Sequence, residues 1–471
     1  MKIRAMNLGP VSKAELEVFP FTVLIGKNQL GKSYLAQLIQ VSYLLAMTVP
    51  RELYFRYGLG HEFEKFKEAL LKARRENKTR SDTVHELVNA VLYRYKEVIE
   101  RNLKSILEET YGVPVSNLIR AGSQSAHIDF EMSDITCISF EIEKRDKVKL
   151  DIKINHSDID KFVLEHVEKN KINLRDLRRK TDLEEVLMSI RQIIISQTTF
   201  LIPFYIPAGR AGLLEGLDTV AKAIVKVSTI APIRGFSIAP LSGTTSQFYT
   251  TFTELLSKSR SYYRPFLSSY REFPYYHGKK SFKTASSGFK KIIGGEILLV
   301  EDSEQTGVRK MKYQFKSGGK KVIIDIIHAA SMVKELAPIY LIIRDLASER
   351  TCIIIEEPES HLHPGAQLDL LNLFSDLVKE GLNIVITTHS DIILRKISNL
   401  IGSFHDGEIN VNAFNPNQVR IYWLRDEASG SILETISIDK TGIGELPIFD
   451  EVIEDLYKEE LGIQQKHLME E

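Results

Sequence analysis

Residues 26 to 33 read Gly-Lys-Asn-Gln-Leu-Gly-Lys-Ser, and this G-x-x-x-x-G-K-S spacing constrains the fold more than any other feature of the chain. Gly26 and Gly31 let the backbone turn tightly with its amides pointing inward, so that successive N–H groups cradle a phosphate at a helix N-terminus. Lys32 is expected to reach the β- and γ-phosphates, and the Ser33 hydroxyl to ligate magnesium, because a hard cation prefers oxygen donors. The flanks fit this reading. Phe21 to Ile25 is a short, apolar, β-branched run, and Ser33 to Met47 repeats apolar residues at helical spacing. Strand, loop and helix are therefore expected in that order. The candidate ATP site is the loop with the start of its helix: Gly26, Lys27, Asn28, Gln29, Leu30, Gly31, Lys32, Ser33 and Tyr34.

A phosphate loop of this kind needs one acid for the magnesium shell and another to position the attacking water, both at the end of a second buried strand. Thr351 to Ile355 is such a strand and runs directly into Glu356-Glu357-Pro358. Glu356 is assigned to magnesium and Glu357 to general base. A third apolar strand, Asn383 to Thr388, ends at His389-Ser390, where an imidazole can donate to the γ-phosphate, so His389 is the candidate switch residue.

The run Glu356-Glu-Pro-Glu-Ser-His-Leu-His-Pro364, followed by Thr387-Thr-His-Ser390, resembles the ABC-type head ATPases of the overcoming-lysogenization-defect (OLD) kind. These are relatives of the SMC and DNA-repair heads and include ATPase subunits of antiphage systems. The opening Ile3 to Pro10 and the run Tyr205-Ile-Pro-Ala-Gly-Arg210 are also similar to theirs. The resemblance implies an α/β fold: a P-loop NTPase head of the ABC type, a mixed sheet flanked by helices. It implies further that two heads sandwich ATP and magnesium as a homodimer or higher oligomer, and that the switch controls a separate effector protein such as a nuclease.

Two departures from the family pattern stand out. These ATPases carry a Ser-Ser-Gly signature that caps the partner's γ-phosphate in trans, and the matching stretch here is Ala329 to Leu336, with Ser331 and Lys334 as the candidate trans-acting residues. Met332 stands where Gly is expected and Ala330 where the first Ser is. Because Gly permits a close approach of backbone to phosphate that a Met side chain does not, slow or partner-stimulated hydrolysis is expected. Gly209 replaces a residue that is often acidic, and Arg210 is read as a phosphate or interface residue. Gln192 and Gln197 are candidates for a glutamine lid. His361 and His363 could chelate a metal with nearby carboxylates, but the resemblance puts them in the loop after Glu357, near the dimer interface.

At 471 residues the chain exceeds the length at which single cores stop growing, about 250 to 300 residues, so several structural units are expected. The divisions read from the sequence are a head segment over 1–50 and an inserted helical and β lobe over 51–198. The rest of the head follows over 199–440, with a basic aromatic sub-lobe at about 245–293, and an acidic C-terminal helix over 441–471. Within the lobe, Glu62 to Glu109 reads as a helical pair, Ala126 to Ile154 alternates as an antiparallel sheet, and Asp158 to Gln197 is amphipathic. The lobe is too short and too interrupted for a long coiled coil. Only two cysteines, Cys137 and Cys352, far apart in sequence, argue for a reduced cytoplasmic setting and against a disulfide framework. The N-terminal segment shows no apolar signal region, and no run is long enough to span a membrane.

Basic and acidic side chains balance at 62 each, but their distribution is uneven. Lys258, Arg260, Arg264, Arg271, Lys279, Lys280, Lys283, Lys290 and Lys291 fall between Ser257 and Ile293, against a single acid, Glu272. Tyr and Phe residues, among them Tyr262, Phe266, Tyr275, Phe282 and Phe289, are interleaved with them. Cations that contact phosphates and aromatic faces that stack on bases suit single strands or distorted duplex DNA, whereas the plainer reading is a solvated lobe whose aromatics pack into the head. A protein-partner surface is a third reading. After His389 no Asp-x-Asp cluster of the kind used by Toprim nucleases occurs, so the chain is not expected to cut DNA itself. Three functions remain: a nucleotide-gated ATPase of defence or DNA transactions, a nucleotide-sensing scaffold with little hydrolysis, and a transporter-type motor. The last would need the conventional signature that this chain lacks.

Overall fold

The three β-branched runs that flank the motifs each form a strand whose side chains are buried on both faces, the pattern of a parallel sheet covered by helices. They are β3 (Phe21–Gly26), β11 (Thr351–Glu356) and β12 (Asn383–Thr388). The computed structural model describes residues 1–51, 60–76, 78–131, 136–154, 156–169, 201–217, 243–256, 283–301, 309–349, 351–404, 413–439, 441–444 and 457–461. The remaining strands of the main sheet are β1 (Lys2–Leu8), β2 (Val11–Glu17), β4 (Ser125–Glu131), β5 (Thr136–Glu143), β6 (Lys147–Ile154), β7 (Ile202–Ile206), β13 (Val419–Arg425) and β14 (Ser431–Thr435). Their order across this eleven-stranded sheet is β6-β5-β4-β1-β2-β14-β13-β3-β12-β11-β7.

The strands from β13 to β7 run parallel, and the wing from β14 outward is largely antiparallel. The sheet is therefore mixed and flanked by helices, the α/β head expected from the sequence. In the parallel block β12 sits between β3 and β11, with Thr388 opposite Ile25 and Glu356 opposite Thr387. The carboxyl ends of these three strands consequently meet at one edge of the sheet, where open α/β sheets bind ligands.

Alternation along these strands divides the core into two layers. Leu24, Ile354 and Val385 face α1 (Lys32–Arg51), on which α3 (Arg80–Tyr111) packs. Val23, Ile25, Ile353, Ile355, Ile384 and Ile386 face the other layer, built from α7 (Ser331–Asp345), α8 (Pro364–Lys379) and α9 (Asp391–Gly402). Each fully buried Leu, Ile or Val contributes about 1.5 to 3 kcal/mol relative to its exposed state, so the framework behind the motifs is rigid.

The helical pair read over 62–109 forms α2 (Gly60–Arg75) and the longer α3, whose start is fixed by a capping box between Thr79 and Asp82. The alternating stretch 126–154 forms β4 to β6, but not as a sheet of its own lobe. β4 pairs with β1, with Lys2 opposite Glu131, so these strands lengthen the head's own sheet. The reason is that β1 would otherwise leave a row of unpaired backbone groups at an edge, and β4 covers it. Of the amphipathic stretch 158–197, α4 (His156–Lys169) carries the described part; Gln192 and Gln197 lie outside the described residues. Of the acidic C-terminal helix read over 441–471, residues 457–461 are described and helical.

A second, three-stranded antiparallel sheet is built from β8 (Gly295–Glu301), β9 (Arg309–Ser317) and β10 (Lys320–Asp325). It continues through a short turn of helix at Ile326–His328 directly into α7. The basic aromatic stretch is flanked by α5 (Gly243–Leu256) and α6 (Lys283–Ile293). Arg260, Arg264, Arg271, Lys279 and Lys280 lie outside the described residues, as does the side chain of Lys283. The two lysines that can be seen are exposed and paired with acids of the head, Lys290 with Glu296 at 2.9 Å and Lys291 with Asp369 at 3.1 Å. Of the two readings of the stretch's aromatics, Phe289 follows the plainer one and packs into the head: it is fully buried, its ring 5.2 Å from that of Tyr340, because α6 packs on α7 and α8.

The two cysteines are free. Cys352 is buried on β11, and burial pushes its thiol up from 9.0 to about 12. Thiol reagents act on the thiolate, so Cys352 is expected to stay unlabelled in the native protein at pH 8 while half-buried Cys137 labels slowly. The check is a thiol count before and after adding denaturant. Because the folded value lies above the unfolded one, this thiol's contribution to stability is fully present below pH 9 and is lost as the pH rises from 9 toward 12. No helix among the described residues is long and apolar enough to cross a membrane.

Candidate nucleotide site

The loop between β3 and α1 is held by backbone conformations that only glycine adopts without strain. Gly31 has φ +101°, and a Cβ there would lie 2.6 Å from Val11 Cγ2; at Gly26 a Cβ would lie 2.9 Å from the Leu424 carbonyl oxygen. The β1–β2 turn and the end of β13 thus press against the loop from two sides, and side chains larger than hydrogen have no room. Lys27, Asn28 and Gln29 are exposed and Leu30 is nearly buried. Ser33 is exposed at the start of α1. Tyr34 packs under the β1–β2 turn at Gly9 and against Tyr111, with ring centroids 5.5 Å apart.

The Lys32 ammonium is buried, 7% exposed, and donates to the carbonyl oxygens of Gly26 at 2.7 Å and Lys27 at 2.8 Å. Burial holds its pKa below the usual lysine value, and the charges of Glu357, Glu359 and Glu356 partly counter that shift. All three carboxylates of the acid strand end are therefore close enough to the lysine to act on it.

Glu356 closes β11. Its Oε1 accepts from the Tyr205 hydroxyl at 2.8 Å and its Oε2 from the Ala208 amide at 3.1 Å. These bonds aim the carboxylate and leave each oxygen a further lone pair. Burial and the Glu356 charge in turn push the Tyr205 phenol well above its usual pKa, which keeps it a donor. Glu357 follows with φ +43°, a left-handed conformation that is costly for a residue with a side chain. Its amide donates to the Thr387 carbonyl at 2.9 Å, tying the base to the end of β12. Its carboxylate accepts from Ser360 Oγ at 3.4 Å and lies 3.5 Å from His389 Nδ1.

Sequence reasoning passed over Glu359, which the fold makes central. It is buried, its Oε1 accepting from the Thr388 hydroxyl at 2.5 Å and from the His389 amide at 3.2 Å. Two residues past the base, it therefore fixes the backbone that presents His389. The sequence signal is a third carboxylate in Glu-Glu-Pro-Glu, which by itself does not tell a surface charge from a buried anchor. Arg210, read as a phosphate or interface residue, is corrected: it is fully buried beneath the acids and faces neither. His363 caps α8, its Nδ1 accepting from the Gly365 amide, and His361 is exposed. Among the described residues no cluster of three or more metal-ligating side chains occurs.

Ser331 begins α7 and is exposed, whereas Lys334 is half-buried and pairs with Glu215 at 2.6 Å. Ala330 precedes the helix and gives its first amides no side-chain cap, while the Val333 and Lys334 amides donate to the Ala330 carbonyl. The structure therefore gathers Lys32, Ser33, Glu356, Glu357 and His389 at one end of the parallel strands, and it leaves Ser331 at the head of a separate helix.

Comparison with solved structures finds the Smc head bound to the C-winged helix domain of ScpA at 12% identity and a TM-score of 0.42, covering 93% of this chain and 98% of that one. The Smc head domain with an extended coiled coil bound to the C-terminal domain of ScpA, derived from Pyrococcus furiosus, matches at 12% identity and a TM-score of 0.41, covering 97% and 98%. The SMC head domain from Thermotoga maritima matches at 11% and 0.36, covering 93% and 98%. No curated protein matches. The family described as AAA ATPase domain matches residues 1–394, most of the chain, and the chain belongs to that family.

Proposed function

We propose that this AAA ATPase domain binds and hydrolyses ATP as an OLD-like, nucleotide-gated switch in antiphage defence or DNA transactions. Two heads close on ATP and reopen on hydrolysis, and the movement controls a separate effector. The observation that carries the reading is the meeting of Lys32, Glu357 and His389 at adjacent strand ends, with β12 between β3 and β11. A binding module needs the lysine but not a carboxylate held at the edge of an allowed backbone conformation.

Magnesium fits the donors at this place. Ser33 and Glu356 offer oxygen to a hard cation, and the cramped Gly26 and Gly31 leave backbone amides free to approach phosphate. Ser33 and Glu356 would hold the ion, which supplies charge neutralisation for phosphoryl transfer. Lys32 would exchange its loop carbonyls for the phosphates. Glu357 would take the proton of the attacking water, and His389, steadied by Glu359, would donate to the γ-phosphate. Ser331 and the N-terminal end of α7 would meet the phosphate of the opposite head.

One observation favours a second reading, a nucleotide-binding scaffold with little hydrolysis: Met332, packed against the core at the second position of α7, stands where the resembling family has the Gly that lets backbone approach a partner's phosphate. The experiment that separates the two is ATP turnover of the full chain, with and without single- and double-stranded DNA, with molecular mass recorded on the same samples. Turnover together with an ATP-dependent larger assembly is the expected result. Tight ATP binding without turnover in every condition favours the scaffold.

A further inference from the structure

Arg210 is a fully buried cation with no place in the nucleotide chemistry described above, and the fold surrounds it with backbone oxygen. Its Nη1 donates to the Glu356 carbonyl at 2.6 Å and the Pro207 carbonyl at 3.2 Å, and its Nη2 to the Glu357 carbonyl at 3.0 Å. Its Nε donates to the Glu335 carbonyl at 3.1 Å and lies 2.9 Å from Glu335 Oε2. Glu335, also fully buried, accepts the Ala211 amide on its other carboxylate oxygen at 3.1 Å.

Two elements that the proposed switch uses separately are joined through this one guanidinium. Glu335 sits one helical turn into α7, four residues after Ser331. The Glu356 and Glu357 carbonyls belong to the two acids of the strand end. We infer that Arg210 and Glu335 are positioning residues that hold Glu357 in its left-handed conformation and tie the two acids to the helix headed by Ser331.

Three points of chemistry support this. The Glu357 peptide is clamped on both sides, its amide by Thr387 and its carbonyl by Arg210, and strained conformations persist only where the surroundings over-determine them. A planar guanidinium can bond consecutive carbonyls in fixed directions, which a lysine ammonium cannot reproduce. And α7 is buried along most of its length from Val333 to Ile343, and close-packed interiors transmit strain, so a displacement of its N-terminus would be carried to Glu335 and from there to the acids. The inference rests on the reading of Glu357 as base and of the α7 N-terminus as the surface met by the opposite head.

The test uses the full chain and two variants. Arg210→Met combined with Glu335→Leu replaces the buried pair by apolar side chains of similar size, an exchange that folded proteins commonly tolerate. Arg210→Lys keeps the charge and loses the fork. Thermal melting, ATP affinity, KM and kcat are measured for each. The expected split is ATP affinity and KM within about threefold of wild type, with kcat down by ~10- to 100-fold in both variants. A folded double variant with wild-type kcat overturns the inference. If the double variant does not fold, Arg210→Lys decides on the same split. If the wild type binds ATP without turning it over, the hydrolytic reading fails by itself. The link is then read from ATP-dependent mass: loss of assembly in Arg210→Lys supports it, and retention overturns it.

Discussion

Replacing Glu357 by Gln is expected to lower ATP turnover by about 100- to 10,000-fold, the range for loss of a general base, while nucleotide binding is kept. The substitution is close to isosteric, and the main-chain bonds that shape the strand end, from the Glu357 amide to Thr387 and from Arg210 to its carbonyl, are untouched. A carboxamide can still accept from Ser360 Oγ, but it cannot take a proton from water. It also removes one negative charge from the surroundings of Lys32, where Glu357 is the carboxylate that acts on the ammonium most strongly. A γ-phosphate arriving at Lys32 then meets less repulsion. ATP is therefore expected to bind at least as tightly as in wild type, and the ATP-dependent assembly to persist after wild type has reopened. Steady-state phosphate release and mass measured over the same time course check both halves. Undiminished turnover in the variant would remove Glu357 from the role of base.

What the sequence showed and what it withheld divide along a physical line. The loop, the acids and the histidine were legible because each lies at the end of a β-branched run, and strand plus motif is local information: β3, β11 and β12 all lie where the apolar runs were read. The pairing of β4 with β1 was not legible. Alternation in Ser125–Glu131 reveals a strand but not its neighbour, which lies more than a hundred residues earlier in the chain. Arg210 and Glu335 were misjudged or missed because charged residues are normally exposed, and only tertiary structure supplies the oxygens that make their burial tolerable. Phe289 shows the converse. An aromatic beside lysines reads equally as a base-stacking surface or as a core residue under a charged face, and only α6 decides: it turns the ring inward against Tyr340 and sends Lys290 and Lys291 outward to acids of the head.

Replacing Lys32 by Ala is expected to abolish ATP binding at working concentrations. Truncating one member of a buried, charge-assisted pair costs about 2 to 5 kcal/mol or more, which is roughly a 30- to 5,000-fold loss of affinity. The apo protein, by contrast, should lose little. Burial depresses the pKa of this amine, so its charged form is less favourable folded than unfolded, and at neutral pH the ammonium costs stability rather than supplying it. That cost is partly met by its bonds to the Gly26 and Lys27 carbonyls. A thermal melt separates the two effects, because a ligand that binds only the folded state raises the melting temperature in proportion to ln(1 + [L]/Kd). Wild type and Glu357→Gln should both melt higher with magnesium and ATP than without. Lys32→Ala should melt near wild type without nucleotide and show no rise with it. A preserved ATP-induced rise in Lys32→Ala would mean that phosphate is held elsewhere. The loop would then be structural, and the meeting of strand ends at β3, β12 and β11 would need another ligand to explain it.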